Sequence, residues 1–402
     1  VSQTQFRGGD AVRGIHKTPR FYSLGIASKL LISLIFSLIS VTVFSRDACN
    51  SAFSTEQNVF TWRPGIYGES LFYKGSVNKS WIQGTVLRVA EYNMYNIGEY
   101  ALSEQNANRQ KGHRPPSDLR YKPKSISRII EQGQTILRAN PDIIVSPEVQ
   151  GEAVARDFSK RFLNDQYDVL FIKGNDVREM DLVFFVKKDL PIEIEYVSNR
   201  LARGPPNQGV QELIFSRDLP VAIVYAKGQR EKPLFVLAGT HFKSKMNVKP
   251  DYDKGIQPDR EGNRLRAAQV QTSIRILNEV SQYFGHRVPV MIAGDFNNNL
   301  HGQNEMMGFH RAGFKDVFDL GPEPMDYRNR FTHAYFSRNG QKEYQQVDGI
   351  LLLGSQFVKI HQSGIVPYLL PDGRVKPKPR NFDERERNPS DHWMIFADMA
   401  FD

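Results

Sequence analysis

Short apolar runs separated by polar, glycine- and proline-bearing loops dominate this chain, and the period of each run predicts its element. Residues 85–93 (TVLRVAEYN) alternate apolar and polar positions and end on an amide, as a half-buried strand does. Ile126, Ile129, Ile130, Ile136 and Leu137 recur at helical spacing over 125–139, and Asn140-Pro141 stops that helix. Residues 142–145, 167–172, 181–187, 213–216, 221–226 and 234–239 read as further strands, with a helix at 152–163. A long helix over 263–284 feeds Val290-Met291-Ile292-Ala293-Gly294, a buried strand closed by glycine. Candidate strands follow at 313–318, 332–336, 346–353 and 390–399, with a charged, Pro-rich loop at 367–389. Polar loops at 95–123 and 246–260 have the length of functional or mobile segments. Strands outnumber helices without strict alternation. This predicts packed sheets flanked by helices, in a single domain from residue 84 onward and with no internal repeat.

Residues 30–44 carry no charge and follow a basic leader ending at Lys29. A spanning helix needs roughly twenty residues, so this stretch fits a signal-peptide core with cleavage near Ser45. Residues 1–48 are therefore expected to be an export signal or a retained signal anchor. The protein would be periplasmic or extracellular, with membrane association if the segment stays. Residues 49–83 form an aromatic, glycine-studded extension without a clean period. Cys49, the one cysteine, excludes an intramolecular disulfide and a thiolate-rich metal centre. Arg46-Asp47-Ala48 is a poor lead-in for lipid attachment there. Of the net charge of +9, residues 1–48 hold +4 and the rest +5. That suits a polyanionic substrate but falls far short of a polybasic nucleic-acid coat.

The chemistry sits at strand ends. Six apolar runs are closed or followed by Asn93, Glu148, His241, Asp295 with Asn297, Asp348, and Asp391 with His392. Two residues apart in extended backbone, Asp295 and Asn297 share one face. They present together a carboxylate for base chemistry and an amide for an oxyanion. Any one of these is also ordinary turn chemistry. Six together point to strand ends converging on one pocket. A ligand set rich in oxygen and lacking cysteine selects Mg²⁺, Mn²⁺ or Ca²⁺ over zinc. Such a cation neutralises a phosphoryl oxygen and lowers the pKa of water, the chemistry of phosphoester hydrolysis.

In order along the chain, these motifs resemble those of the exonuclease–endonuclease–phosphatase superfamily, over about residues 86–401. Leu87-Arg88-Val89-Ala90-Glu91-Tyr92-Asn93 is similar to its first strand. Pro141 through Val149 resembles its metal-binding Glu motif, with Pro147 where glutamine is more usual. Thr240-His241-Phe242-Lys243-Ser244, Gly294-Asp295-Phe296-Asn297, Gln346-Val347-Asp348-Gly349 and Ser390-Asp391-His392 complete the set. The resemblance implies an α/β (α+β) fold, a four-layer α-β-β-α sandwich of two mainly antiparallel sheets. It implies Glu148 as principal metal ligand, assisted by Asn93 and Asp391. Asp295 would orient or deprotonate the attacking water, and Asn297 would hold a phosphate oxygen. His392, polarised by Asp348, and His241 would contact the scissile phosphate. Arg217 falls where nuclease members carry a phosphate-binding arginine, and Glu179 matches weakly the carboxylate partner of His241. The expected activity is metal-dependent phosphodiester hydrolysis, with nucleic acid as substrate and a monomeric enzyme. The run His241-Phe242-Lys243-Ser244-Lys245 and the helix behind it, in which Arg266 could approach the site, are similar to secreted bacterial nucleases. A sphingomyelinase-like or inositol-phosphate phosphoesterase is the enzymatic alternative, and an inactive binding protein the non-enzymatic one.

Overall fold

In a computed structural model of the chain, the described residues are 62–77, 79–98, 124–177, 179–205, 213–245, 260–336 and 342–401. The segment 1–48, Cys49, and most of the loops 95–123 and 246–260 lie outside them. Contacts divide the chain into Val1–Phe60 and Thr61–Asp402, and every described residue belongs to the second unit. Among the described residues, no helix is long and apolar enough to cross a membrane.

The strands are β1 (Ser70–Lys74), β2 (Val86–Glu91), β3 (Ile143–Gln150), β4 (Tyr167–Leu170), β5 (Met180–Lys187), β6 (Ile192–Val197), β7 (Val221–Ala226) and β8 (Phe235–His241). They continue with β9 (Val290–Asp295), β10 (Lys315–Asp316), β11 (His333–Phe336), β12 (Lys342–Gln345), β13 (Asp348–Leu353), β14 (Val358–Ile365) and β15 (Ile395–Phe401). The helices are α1 (Ile126–Ala139), α2 (Gly151–Phe162), α3 (Arg260–Tyr283), α4 (Met307–Arg311) and α5 (Phe382–Glu386). One sheet has the order β1-β6-β7-β8-β9-β13-β10, the other β14-β15-β2-β3-β5-β4, and β11-β12 form a small hairpin. Pairing is antiparallel except at two places, β2 with β3 and β8 with β9. Those parallel pairs need crossovers, and α1 and α3 supply them.

Strand alternation assigns the layers. Val89, Ile143, Val145 and Phe184 of one sheet meet Ile194, Leu237, Met291 and Ile350 of the other in the inner core. On the outer faces, Ala90, Ile144 and Phe185 pack on Ile129, Ile136 and Phe158 of α1 and α2. Val236, Val290 and Ile292 pack on Ile276, Leu277 and Val280 of α3. The result is the expected four-layer α-β-β-α sandwich.

Several elements differ from the sequence expectation. Residues 213–216 form no strand. Ile214 and Phe215 are buried in the α3-side core, and only Leu213 makes an isolated bridge, to Arg203. Burial under a helix produced the apolar run there. Ser70–Lys74, within the 49–83 extension, is the edge strand β1 paired with β6. Strands β6 and β14 occupy stretches for which the sequence reading gave no element.

Within the larger sheet, β8 and β9 approach closely at their ends. A Cβ on Gly294 would lie 1.9 Å from the carbonyl oxygen of Thr240, backbone that cannot yield. Gly294→Ala is expected to cost about 3 kcal/mol of stability, measured by denaturant unfolding.

Candidate active site

The C-terminal ends of both parallel pairs bring their polar residues together. Asn93 lies two residues past β2, Glu148 is in β3, and His241 and Asp295 end β8 and β9 side by side in register. Across the sheet, Asp348 begins β13 directly opposite Asp295.

Glu148 owes its aim to a break in the ladder. The β3–β5 register shifts between Ser146 and Val149, and Glu148 has a φ of 64°. A bulge re-aims a side chain, and a proline is tolerated there because it has no N–H to give to a ladder. Pro147 stands in that bulge. Its carbonyl accepts from Met94 N at 3.0 Å, and that of Glu148 accepts from Ile97 N at 3.0 Å.

Asp295 is the hub. Its Oδ1 accepts from Asn297 N at 2.7 Å, and its Oδ2 accepts from Asn93 Nδ2 at 3.0 Å and Asn297 Nδ2 at 3.2 Å. His241 Nε2 is 3.6 Å from Asp295 Oδ2 and 3.7 Å from Glu148 Oε1. His392 Nε2 approaches Asp295 Oδ2 to 3.9 Å, while its Nδ1 is 2.9 Å from Asp348 Oδ2. Asn297 has a φ of 52°, a left-handed conformation asparagine tolerates, and its amide also donates to Phe242 O at 3.0 Å. Ser390 Oγ donates to Asn93 O at 2.8 Å, tying the His392 loop to the end of β2.

The charges are strongly perturbed. Burial pushes the Asp295 carboxyl up to about 7, with Asp348 and Glu148 adding to the rise and His392 opposing it. Burial alone would discharge His392, but Asp348 and Asp295 outweigh it and hold the imidazolium well above its ordinary range. Burial works against ionised Asp391 too, yet His333 and His392 keep it well below the usual carboxylate range.

These residues fit a hard divalent cation. Ligand atoms of Glu148, His241 and Asp295 lie within 4.8 Å of one another, and a cation there would offset the cost of ionising the buried Asp295. Glu148 is the member open to solvent, with 18% of its side chain exposed. Asn93 turns its amide nitrogen toward Glu148 and Asp295, since its oxygen accepts from Tyr95 N at 2.9 Å. Asp391 falls in a different cluster from Glu148, with His333 and His392, and Arg385 Nη1 stands 3.8 Å away. Arg217 is buried against Asp176, with Nε 3.0 Å from Oδ2, and its Nη1 is 3.5 Å from Phe242 O, the carbonyl that also holds Asn297. Glu179 meets Lys173 at 2.8 Å on a half-exposed surface. Arg266, fully buried, donates to Lys243 O at 2.9 Å, and Gln269 accepts from Lys243 N at 2.9 Å, so α3 clamps the loop after His241.

Two residues escaped the sequence reading. His333 packs against His392 with ring centroids 4.6 Å apart and the rings tilted by 42°, and puts Nε2 3.7 Å from Asp391. Glu91 is fully buried on the inner face, in line with Leu87 and Val89, and neither carboxyl oxygen has a hydrogen-bond partner. Strand alternation carried the signal for Glu91, since period two places it with those core residues and with Asn93.

Neither a protein-family model nor a curated protein sequence matches the chain. Solved structures do. An endonuclease/exonuclease/phosphatase family protein from Bacteroides thetaiotaomicron is 17% identical and superposes with a TM-score of 0.50, over 80% of this chain and all of that one. Truncated TDP2 of Caenorhabditis elegans is 18% identical, with a TM-score of 0.47 over 80% of this chain and 99% of that one. The human Nocturnin catalytic domain is 14% identical, with a TM-score of 0.49 over 85% of this chain and all of that one. The chain has the sandwich fold of endonuclease/exonuclease/phosphatase proteins.

Burial raises the Glu91 carboxyl well above the ordinary value of 4.5, with Asp348 adding to it. The folded state therefore keeps a proton that the unfolded chain releases, so stability is fullest below that value and falls as pH rises above it. Glu91→Gln removes this loss. Its Tm relative to the parent protein is expected to be higher at pH 8 than at pH 4, by calorimetry.

Proposed function

We propose that the chain is an exported, divalent-metal-dependent phosphodiesterase that hydrolyses a nucleic-acid backbone. One observation carries the reaction class. A buried carboxylate, Asp295, is held by two amides between a partly exposed glutamate and two histidines, one of them an imidazolium on Asp348. Ionised Asp295 accepts the proton of an attacking water. Asn297 and Asn93 orient that carboxylate, and the N–H groups of Asn297 are given to Asp295 and Phe242 O, not left for the phosphate oxygen that the family resemblance implied. His392, locked by Asp348, presents Nε2–H to the phosphate as negative charge develops. His241 stands on the opposite side of Asp295, beside Glu148. A cation held by Glu148 would supply Lewis acidity and lower the pKa of water.

For the substrate, support comes from the strand-end loop His241-Phe242-Lys243-Ser244-Lys245. It is fixed next to the site by Arg266 and Gln269, and its lysines suit a phosphate backbone. A bilayer-directed reading wants an exposed aromatic hairpin near residues 60–81. In the described part of that stretch Trp62 is buried, Tyr73 donates to Asp168 at 2.9 Å, and Phe72, though 43% exposed, carries the Arg230 guanidinium over one face. Export rests on the composition of residues 1–48.

The test is incubation of the purified protein with supercoiled plasmid, RNA and sphingomyelin, with Mg²⁺ or with chelator. Chelator-sensitive nicking is expected, and intact nucleic acids with headgroup release would transfer the assignment to lipid phosphoesters. Asp295→Asn is expected to lower kcat about 10²- to 10⁴-fold with little change in KM. The pH profile is expected to rise as Asp295 ionises, near pH 7 in the metal-free protein and lower beside a cation, and to fall as His392 loses its proton. Removing the negative charge on its partner by Asp348→Asn is expected to move the alkaline limb to lower pH.

A further inference from the structure

Beside the dyad of His392 and Asp348 lies a cavity of about 400 Å³ that plays no part in the reaction described above. Its walls include Phe331, Ile365 and Trp393, and its rim Val375, Lys376 and Lys378. Trp393 follows His392, and its N–H donates to Thr332 O at 2.7 Å. Thr332 Oγ1 accepts from Asp348 N at 3.0 Å. Through its carbonyl and its hydroxyl, Thr332 thus joins the cavity wall to the catalytic pair. Ile365 ends β14 and Trp393 stands two residues before β15, so the cavity opens at the end of the sheet where the site lies.

The rim is unusual for a surface loop. Val375 is 62% exposed, an apolar side chain left in water at the cavity edge. Lys378 is exposed, and its ammonium lies 3.4 Å over the ring of Phe331. Among the described residues no carboxylate pairs with it. Burial lowers the pKa of Lys378, as expected of a cation resting on an apolar surface. Lys376 is half-buried and donates to Arg387 O at 2.9 Å. An apolar cavity with an aromatic wall and an uncompensated cation at its mouth complements a flat ring that carries an anionic group.

We propose that this cavity is a base-binding subsite, which receives a nucleobase of single-stranded substrate flanking the scissile phosphate while Lys378 meets the attached phosphate. The inference rests on the nuclease reading for its biological substrate, but binding can be measured without catalysis. Base–aromatic contacts are tolerant of sequence, so the subsite would add affinity without selecting one base.

The full chain, in EDTA, would be titrated with deoxyadenosine 5′-monophosphate while tryptophan fluorescence is followed. Trp393 is one of three tryptophans. Saturable quenching is expected, weakened about tenfold in Val375→Glu/Lys378→Glu, the scale of one stacked base. Both substitutions fall on exposed rim positions, so circular dichroism should be unchanged. The proposal is overturned if quenching is absent or survives in the double variant. It is also overturned if inorganic phosphate competes as well as the nucleotide, or if phosphatidylcholine vesicles bind at the rim and the nucleotide does not. Plasmid cleavage is read separately. Nucleotide binding with an intact plasmid would leave the subsite standing and sink the nuclease reading, whereas cleavage without nucleotide binding would do the reverse.

Discussion

Burying a carboxylate at the end of β9 imposes conditions on everything around it. Asp295 is 1% exposed, where an ionised group is costly unless donors surround it. Asn93, Asn297 and the backbone N–H of Asn297 supply those donors, and His392 supplies charge. Each comes from a different part of the chain. Asn93 requires the end of β2, and His392 requires the loop leading into β15. The site exists only when both sheets are packed.

The two sheets act as a jig. Each contains one parallel pair, and the helix crossing over it covers the outer face and leaves the strand ends bare. Polar residues can collect at those ends without disturbing the inner core, which stays apolar from Val89 to Ile350 with Glu91 as the exception just beneath the site. The burial that makes Asp295 a stronger base also destabilises the ionised protein, a familiar tension between function and stability. Glu91 adds to it, as a neutral acid placed under two carboxylates.

Much of this was legible in the sequence because each central strand is a short apolar run with a polar residue at its end. Asn93, His241 and Asp295 follow that rule, whereas Glu148 lies within β3 and Asp348 and His392 stand at or before the starts of β13 and β15, and the structure brings all six together. The rule failed where burial and strand pairing part company. Residues 213–216 are apolar because they lie under α3. In β6, the sequence IEIEYV alternates cleanly, but its glutamates masked a strand whose Glu193 is buried against Arg230. The pairing of Arg217 with Asp176 and the ring contact of His333 with His392 join residues 41 and 59 positions apart. No local period reports such contacts. Glu148 needed the bulge at Pro147, and a ladder shift leaves no mark in hydropathy.

The account stands or falls on a divalent cation held by Glu148. The direct measurement is calorimetric titration of Mn²⁺ into the purified protein at pH 8, with Glu148→Gln as comparison. The account predicts saturable binding in the parent protein that is lost in a variant with an unchanged circular dichroism spectrum. Binding that persists undiminished in Glu148→Gln, or no binding in either protein, would contradict it.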